Sequence, residues 1–141
     1  MAGFYAAVDT VSGAAQNAGV PGNKQAIFHD ARYVGLYGMS RKTMMRKKGL
    51  SEKDKPFDRM GALELSANNF QMNLAAETIE NEQVRGEEAA IHKNKQIAER
   101  VRAAMIDSGS RPPEELQAAE PINEVRKRLK SQSKLPKLTT N

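Results

Sequence analysis

The chain has 141 residues, of which 39% are apolar and 28% charged, with a formal net charge of +5 and no cysteine. This length holds one domain with a tail at most, and the apolar content suffices for a folded helical core. The missing cysteines exclude disulfides and thiolate metal sites, and no apolar run reaches the length of a membrane span. The opening stretch MAGFYAAVDTVSGAA lacks the basic start and long apolar core of a signal peptide, so the reading expects a cytoplasmic protein.

Taken in chain order, the first helix is expected from Gly3 to Ala18, where Phe4, Val8, Val11 and Ala15 recur at helical spacing. Gly19 and Pro21 stop it. A second helix starts near Asn23 and carries Ile27, Phe28, Ala31 and Val34 on one face, with Gly35 and Gly38 ending it. Ser40 caps a short third helix, SRKTMMRKKG, with Met44 and Met45 inward and Gly49 closing it through a left-handed cap.

SEKDKP then reads as a charged loop, and Pro56 fits the first turn of a long fourth helix. Met60, Leu63, Ala67, Phe70 and Leu74 step along that helix by three and four, the pattern of a buried seam, and Ile79 extends it. Gly86 interrupts, and a fifth helix runs from Glu87 to Asp107 with Ala90, Ile97, Val101, Ala104 and Met105 as its apolar stripe. Gly109 ends it; SRPPEEL is a proline-punctuated linker, Ile122 to Leu129 a last amphipathic helix, and SQSKLPKLTTN a disordered basic tail. No stretch alternates with strand period. The expected fold is all-α, a compact bundle of about five helices over residues 1–110, followed by linker, short helix and flexible tail over 111–141.

Charge is distributed by segment. Residues 24–56 hold nine Lys or Arg against three acids, net +6, and residues 57–90 hold two Arg against seven acids, net −5. A solvated face is the default reading of any charge run. Against that default, Arg41, Lys42, Arg46, Lys47 and Lys48 lie beside Tyr33 and Tyr37, and a basic patch with nearby aromatics suits phosphate contacts plus base stacking. It suits an acidic protein surface equally well. The acids of ETIENE and GEEAA, with no histidine among them, read as a solvated helical face. His29 and His92 fall in no metal-ligand or catalytic pattern, and no phosphate-binding glycine loop or nucleophile elbow occurs. The expectation is a protein without enzymatic activity and without a cofactor or metal.

Several motifs are familiar in combination. YVGLYG, RKKGL and DRMGALELSANNF, followed by IAERVRAAMIDSGSRPPEEL, resemble in order and spacing the C-terminal region of the bacterial DNA-damage-inducible protein D (DinD) family, over about Ala15 to Leu116. By that resemblance Tyr33, Gly35, Leu36, Tyr37, Gly38, Gly49, Leu50, Met60, Gly61, Glu64, Leu65, Asn68 and Phe70 are signature positions. Leu36, Met60, Leu65 and Phe70 then read as core, and Glu64 and Asn68, four apart, as a hydrogen-bonded pair or a partner contact. The resemblance implies a role in the SOS response, with a RecA-type recombinase filament on single-stranded DNA as the target to be inhibited.

The family's antirepressor-like N-terminal domain is not matched here, and Gln71 with MNLAAE stands where the family commonly has a basic residue and then Thr-Gln. Three functions are therefore carried forward. The first is a modulator of a nucleoprotein filament working through the basic corner. The second is a phage or mobile-element inhibitor that grips a host defence complex or repressor through the acidic helix. The third is a structural homo-oligomer paired through the long fourth helix.

Overall fold

The computed structural model describes residues 2–120 and 122–133, and among them there is no strand. Helix α1 spans Ala2–Asn17, α2 Gln25–Tyr37, α3 Arg41–Lys47, α4 Ala62–Asn81, α5 Glu87–Asp107 and α6 Ile122–Ser133. Short 3-10 turns occupy Gly22–Lys24, Pro56–Arg59 and Pro113–Glu115. The all-α expectation holds, and the third and fifth helices lie within a residue or two of where capping and glycine signals place them.

α1 lies along α4 and α2 along α5, with α4 and α5 also in contact. Val11, Ala14, Ala15 and Val20 meet Met72, Ala75, Ala76 and Ile79 in one half of the core. Leu36, Tyr37, Met44, Met45 and Leu50 meet Met60, Ala98, Val101 and Met105 in the other. Partly buried Phe57, Leu65 and Leu74 pack against both halves. The small residues of α1 make sense here, since alanines let the helix approach α4 closely.

Two details differ from the sequence reading of α2. Gly35 does not end the helix; it sits within it, at the crossing with α5. A Cβ built there would lie 2.5 Å from the Lys95 carbonyl oxygen and 2.7 Å from Ala98 Cβ, so only hydrogen fits. Ile27 is half exposed, and the inward face is instead Phe28, Arg32, Tyr33, Leu36 and Tyr37.

Pro56 opens a separate 3-10 turn, and the long helix starts only at Ala62 behind Gly61. The seam expected on α4 is rotated. Leu63 is 52% and Phe70 58% exposed, whereas Glu64, Asn68 and Gln71 point inward and are buried. On α5, Ala104 is exposed and Asn94 buried.

The stretch expected to be a linker is a docked strap. Glu114 makes a two-point ion pair with Arg102 of α5, both bonds 2.7 Å. Ala119 N–H donates to the Arg59 carbonyl at 2.7 Å, Arg59 Nε donates back to the Ala119 carbonyl at 2.6 Å, and Pro113 is buried. Such paired contacts hold a proline-rich segment whose own backbone cannot form a ladder. α6 runs on to Ser133, past the expected end at Leu129, so Ser131–Ser133 are helical; residues 134–141 of the expected tail lie outside the described residues.

Gly35→Ala is expected to destabilise the fold by about 1–3 kcal/mol, because the added methyl forces α2 away from α5. Urea unfolding checks this, and a variant as stable as the parent contradicts the close crossing.

Candidate functional site

α3 has only seven residues, too short to be stable as an isolated helix, so its position comes from what it is fastened to. Ser40 Oγ accepts from the Thr43 N–H at 3.2 Å, capping the helix, and the Asp30 carboxylate of α2 accepts from the Arg41 N–H at 2.9 Å. Met44 and Met45 anchor the underside in the core. At the far end Gly49 takes φ +74°, which lets the Leu50 N–H reach the Met45 carbonyl at 2.8 Å.

What this fastening displays is a row of cations. Arg41, Lys42, Arg46 and Lys47 are exposed, and the side chains of Arg41, Lys42 and Arg46 make no ion pair or hydrogen bond with any described residue. Arg59, Lys93, Arg102 and Arg128 are engaged by carboxylates, whereas Lys53, Lys55, Lys95 and Arg100 resemble the α3 cations in meeting none among the described residues; the α3 set differs in being clustered on one short helix. Arg41, Lys42 and Arg46, with Met45, Leu50 and Glu52, enclose a concavity of about 380 Å³.

Two residues assigned to this surface from sequence, Tyr37 and Lys48, point inward instead. Tyr33 and Tyr37 are buried and stack on each other with ring centres 5.8 Å apart; Tyr37 is wholly internal, while an edge of Tyr33 borders a second concavity with Asp30, Ser40, Arg41 and Lys42. The Lys48 side chain, 3% exposed, turns away from solvent. The basic corner is therefore Arg41, Lys42, Arg46 and Lys47.

Lys48 enters a buried polar network instead. Its ammonium donates to Glu64 Oε1 and to the Leu116 carbonyl of the strap, each at 2.7 Å. The other Glu64 oxygen accepts from the Tyr37 hydroxyl. Asn68 Nδ2 donates to that hydroxyl at 3.0 Å and to the Glu64 carbonyl at 2.9 Å, while Asn68 Oδ1 accepts from Arg32. Arg32 lies over the Tyr33 ring at 4.4 Å, and its Nε has no hydrogen-bond partner among the described residues. Burial, and then the adjacent Glu64 charge, push the Tyr37 hydroxyl well above its ordinary pKa. It stays a proton donor to the carboxylate.

A second bridge lies deeper: Gln71 Nε2 donates to Asn94 Oδ1 at 2.8 Å, and Asn94 Nδ2 donates to the Phe28 carbonyl at 2.9 Å. Together the two sets tie α2, α3, α4, α5 and the strap through polar groups. Sequence reasoning placed Glu64 and Asn68 on one helical face but gave no sign that Arg32, Gln71 or Asn94 were internal. Three of the eight buried positions of α4, Glu64, Asn68 and Gln71, are polar, and the apolar spacing along the helix gave no sign of it.

The positions singled out by resemblance divide on structural lines. Leu36, Leu50 and Met60 are core, Leu65 packs at the junction of the two core halves, and Gly35 permits the helix crossing. Gly38 caps α2, and Gly61 caps α4. Glu64, Asn68, Tyr33 and Tyr37 build the network. Phe70, read as core, is on the surface.

Of the two histidines, His29 borders the concavity shared by Tyr33, Arg41 and Lys42. His29 Nε2 lies 2.8 Å from the Ser12 hydroxyl, joining α2 to α1; burial, with the Arg32 charge, lowers its pKa to about 4. His92 is exposed. Near the corner, burial would raise the Glu114 carboxyl, but the Arg102 hydrogen bonds and the Arg102 and Lys47 charges outweigh it and hold the carboxyl below its usual range. No group of three or more acids and histidines that could hold a metal ion exists among the described residues, and none of their helices is long and apolar enough to cross a membrane.

Glu64→Leu leaves the Lys48 ammonium buried without its counter-charge, and the expected loss in urea unfolding is about 3–5 kcal/mol. A loss below about 1 kcal/mol contradicts the network as described.

The chain matches the DinD C-terminal domain over residues 5–125. It is 35% identical over 105 residues to DNA damage-inducible protein D of Escherichia coli strain K12, covering 73% of this chain and 38% of that protein. The chain thus spans well under half the length of this relative. No solved structure matches it. A match across most of the sequence, together with the identity to the bacterial protein, shows that the chain belongs to the DinD C-terminal domain family.

Proposed function

We propose that this chain is a non-enzymatic modulator of the DNA-damage response, acting in the cytoplasm, which docks through α3 on a RecA-type filament on single-stranded DNA and inhibits it by occupying contacts that the filament uses. The observation that carries this reading is the set of unpaired cations on α3, fastened underneath by Met44, Met45 and Lys48. A short helix held this firmly presents its charges at fixed spacing, which lowers the entropy lost on binding phosphates or an acidic protein face. Membership of a family that includes a DNA damage-inducible protein supports the setting. The mechanism needs no turnover; the corner competes for phosphate or acidic contacts that the filament uses.

The test is fluorescence anisotropy with a labelled single-stranded oligonucleotide, with and without a RecA-type recombinase, across a salt series. Four cations meeting phosphates imply a log–log salt slope of about −3 for a single strand. Arg46→Glu combined with Lys47→Glu is expected to weaken binding by about tenfold or more at low salt. Unchanged binding by that variant, or no binding in either condition, contradicts the reading.

A second reading has an observation of its own. Exposed Leu63 and Phe70 border an apolar groove with Ala67, Val101, Ala104 and Met105, which favours self-association through α4. Light scattering decides it: a mass near 15.5 kDa at high concentration sinks it, and twice that value supports it. A contact through the acidic stretch 77–88, as in a host-defence inhibitor, has less support, because Glu82 is already paired with Lys93 at 3.1 Å.

A further inference from the structure

We propose that the concavity beside α3 takes one unpaired nucleotide of single-stranded DNA, its base lying on Met45 and Leu50 and its phosphate on Arg41 and Arg46. The inference deepens the α3 reading above and rests on it, by naming what the surface recognises.

The walls differ in chemistry. Met45 and Leu50 are buried core residues that nonetheless line the concavity, so its floor is apolar. A thioether makes favourable contact with an aromatic ring, and its flexible chain adapts to the ring's position. The rim is Arg41, Lys42 and Arg46, whose charges meet no carboxylate among the described residues. A volume of about 380 Å³ is within the range of small-ligand sites.

Glu52 sets the polarity. It is the one carboxylate on the wall, it is exposed, and it repels phosphate while accepting hydrogen bonds from base N–H groups. A phosphate is therefore directed to the Arg41 and Arg46 side, and the base edge to the Glu52 side. A site for a bare anion would be weakened by that carboxylate; a site for a nucleotide is oriented by it. The stacking first expected of Tyr37 is thus replaced by an aliphatic platform one helix further on.

Duplex DNA keeps its bases stacked inside the helix and offers the rim only phosphates. To fill the concavity it must unpair and extrude a base, which costs a few kcal/mol. Single strands present bases without that cost, so the site distinguishes the two, which phosphate contacts alone do not.

The experiment uses the full chain with ¹³C-methyl-labelled methionine and three fluorescent probes: a single-stranded oligonucleotide, the same strand with abasic positions, and the duplex. At one moderate salt concentration the single strand is expected to bind about tenfold or more tighter than either other probe. The Met45 methyl resonance is expected to shift with the single strand and stay put with the abasic one. Glu52→Lys, at an exposed position, is expected to raise affinity for the abasic strand and narrow the difference. Equal, salt-sensitive binding of all three probes overturns the nucleotide site while leaving the α3 interface standing. A single-strand preference with an unmoved Met45 signal also overturns it, since the base is then held elsewhere. Absence of binding to every probe overturns the site as well, and the α3 interface is then judged by the recombinase arm of the preceding experiment.

Discussion

The Glu64 carboxylate is the point at which this fold is tied together. One oxygen accepts from the Tyr37 hydroxyl of α2, and the other from the Lys48 ammonium at the end of α3. The same ammonium reaches the strap through the Leu116 carbonyl. Four segments that are remote in sequence thus meet at one buried charge. Lys48 pairs with the buried carboxylate directly, and a second buried cation, Arg32, joins the network through Asn68, which also bonds the Tyr37 hydroxyl. Such an arrangement is costly to assemble partially, because each member removed leaves another unsatisfied in a low-dielectric interior.

That constraint explains how a protein with few aromatic residues presents a rigid binding surface. α3 is too short to hold its own shape, and its cations repel one another modestly. It is kept in place from below by two methionines and one lysine, from the α2 side by Asp30, and at its ends by Ser40 and Gly49. The basic residues divide accordingly. Lys48 is spent on architecture, which leaves Arg41, Lys42, Arg46 and Lys47 facing outward. The strap adds a link from the region after α5 back to this corner, through Arg102, Lys48 and Arg59.

Much of this was legible in the sequence, and the remainder was hidden for one physical reason. Ser40, Gly49, Gly86 and Gly109 marked helix ends correctly because capping is local, a matter of a side-chain oxygen or a left-handed backbone within a few residues. The inward face of α4 was misread because periodicity detects apolar residues, and here Glu64, Asn68 and Gln71 take the inward positions while Leu63 and Phe70 stay outside. Tyr37 beside a basic run looked like part of a stacking platform; nothing local shows that Glu64 and Asn68 of α4 will take its hydroxyl inside. The strap was read as a linker because its contacts are to residues far away in the chain. The basic corner itself was visible as composition, but which of its five cations is internal depends on a contact sixteen positions away.

The most direct test of the account is hydrogen exchange on Lys48→Met, which keeps an unbranched apolar stem and removes only the charge that joins α3 to Glu64 and the strap. The N–H groups of Met44, residue 48 and Leu50, bonded to Ser40, Met44 and Met45, are the reporters. The account requires their exchange to accelerate by about tenfold or more, and by a larger factor than that of the amides along the α2–α5 crossing. Protection of α3 equal to that of the parent protein would contradict the claim that this buried charge holds the basic corner in place.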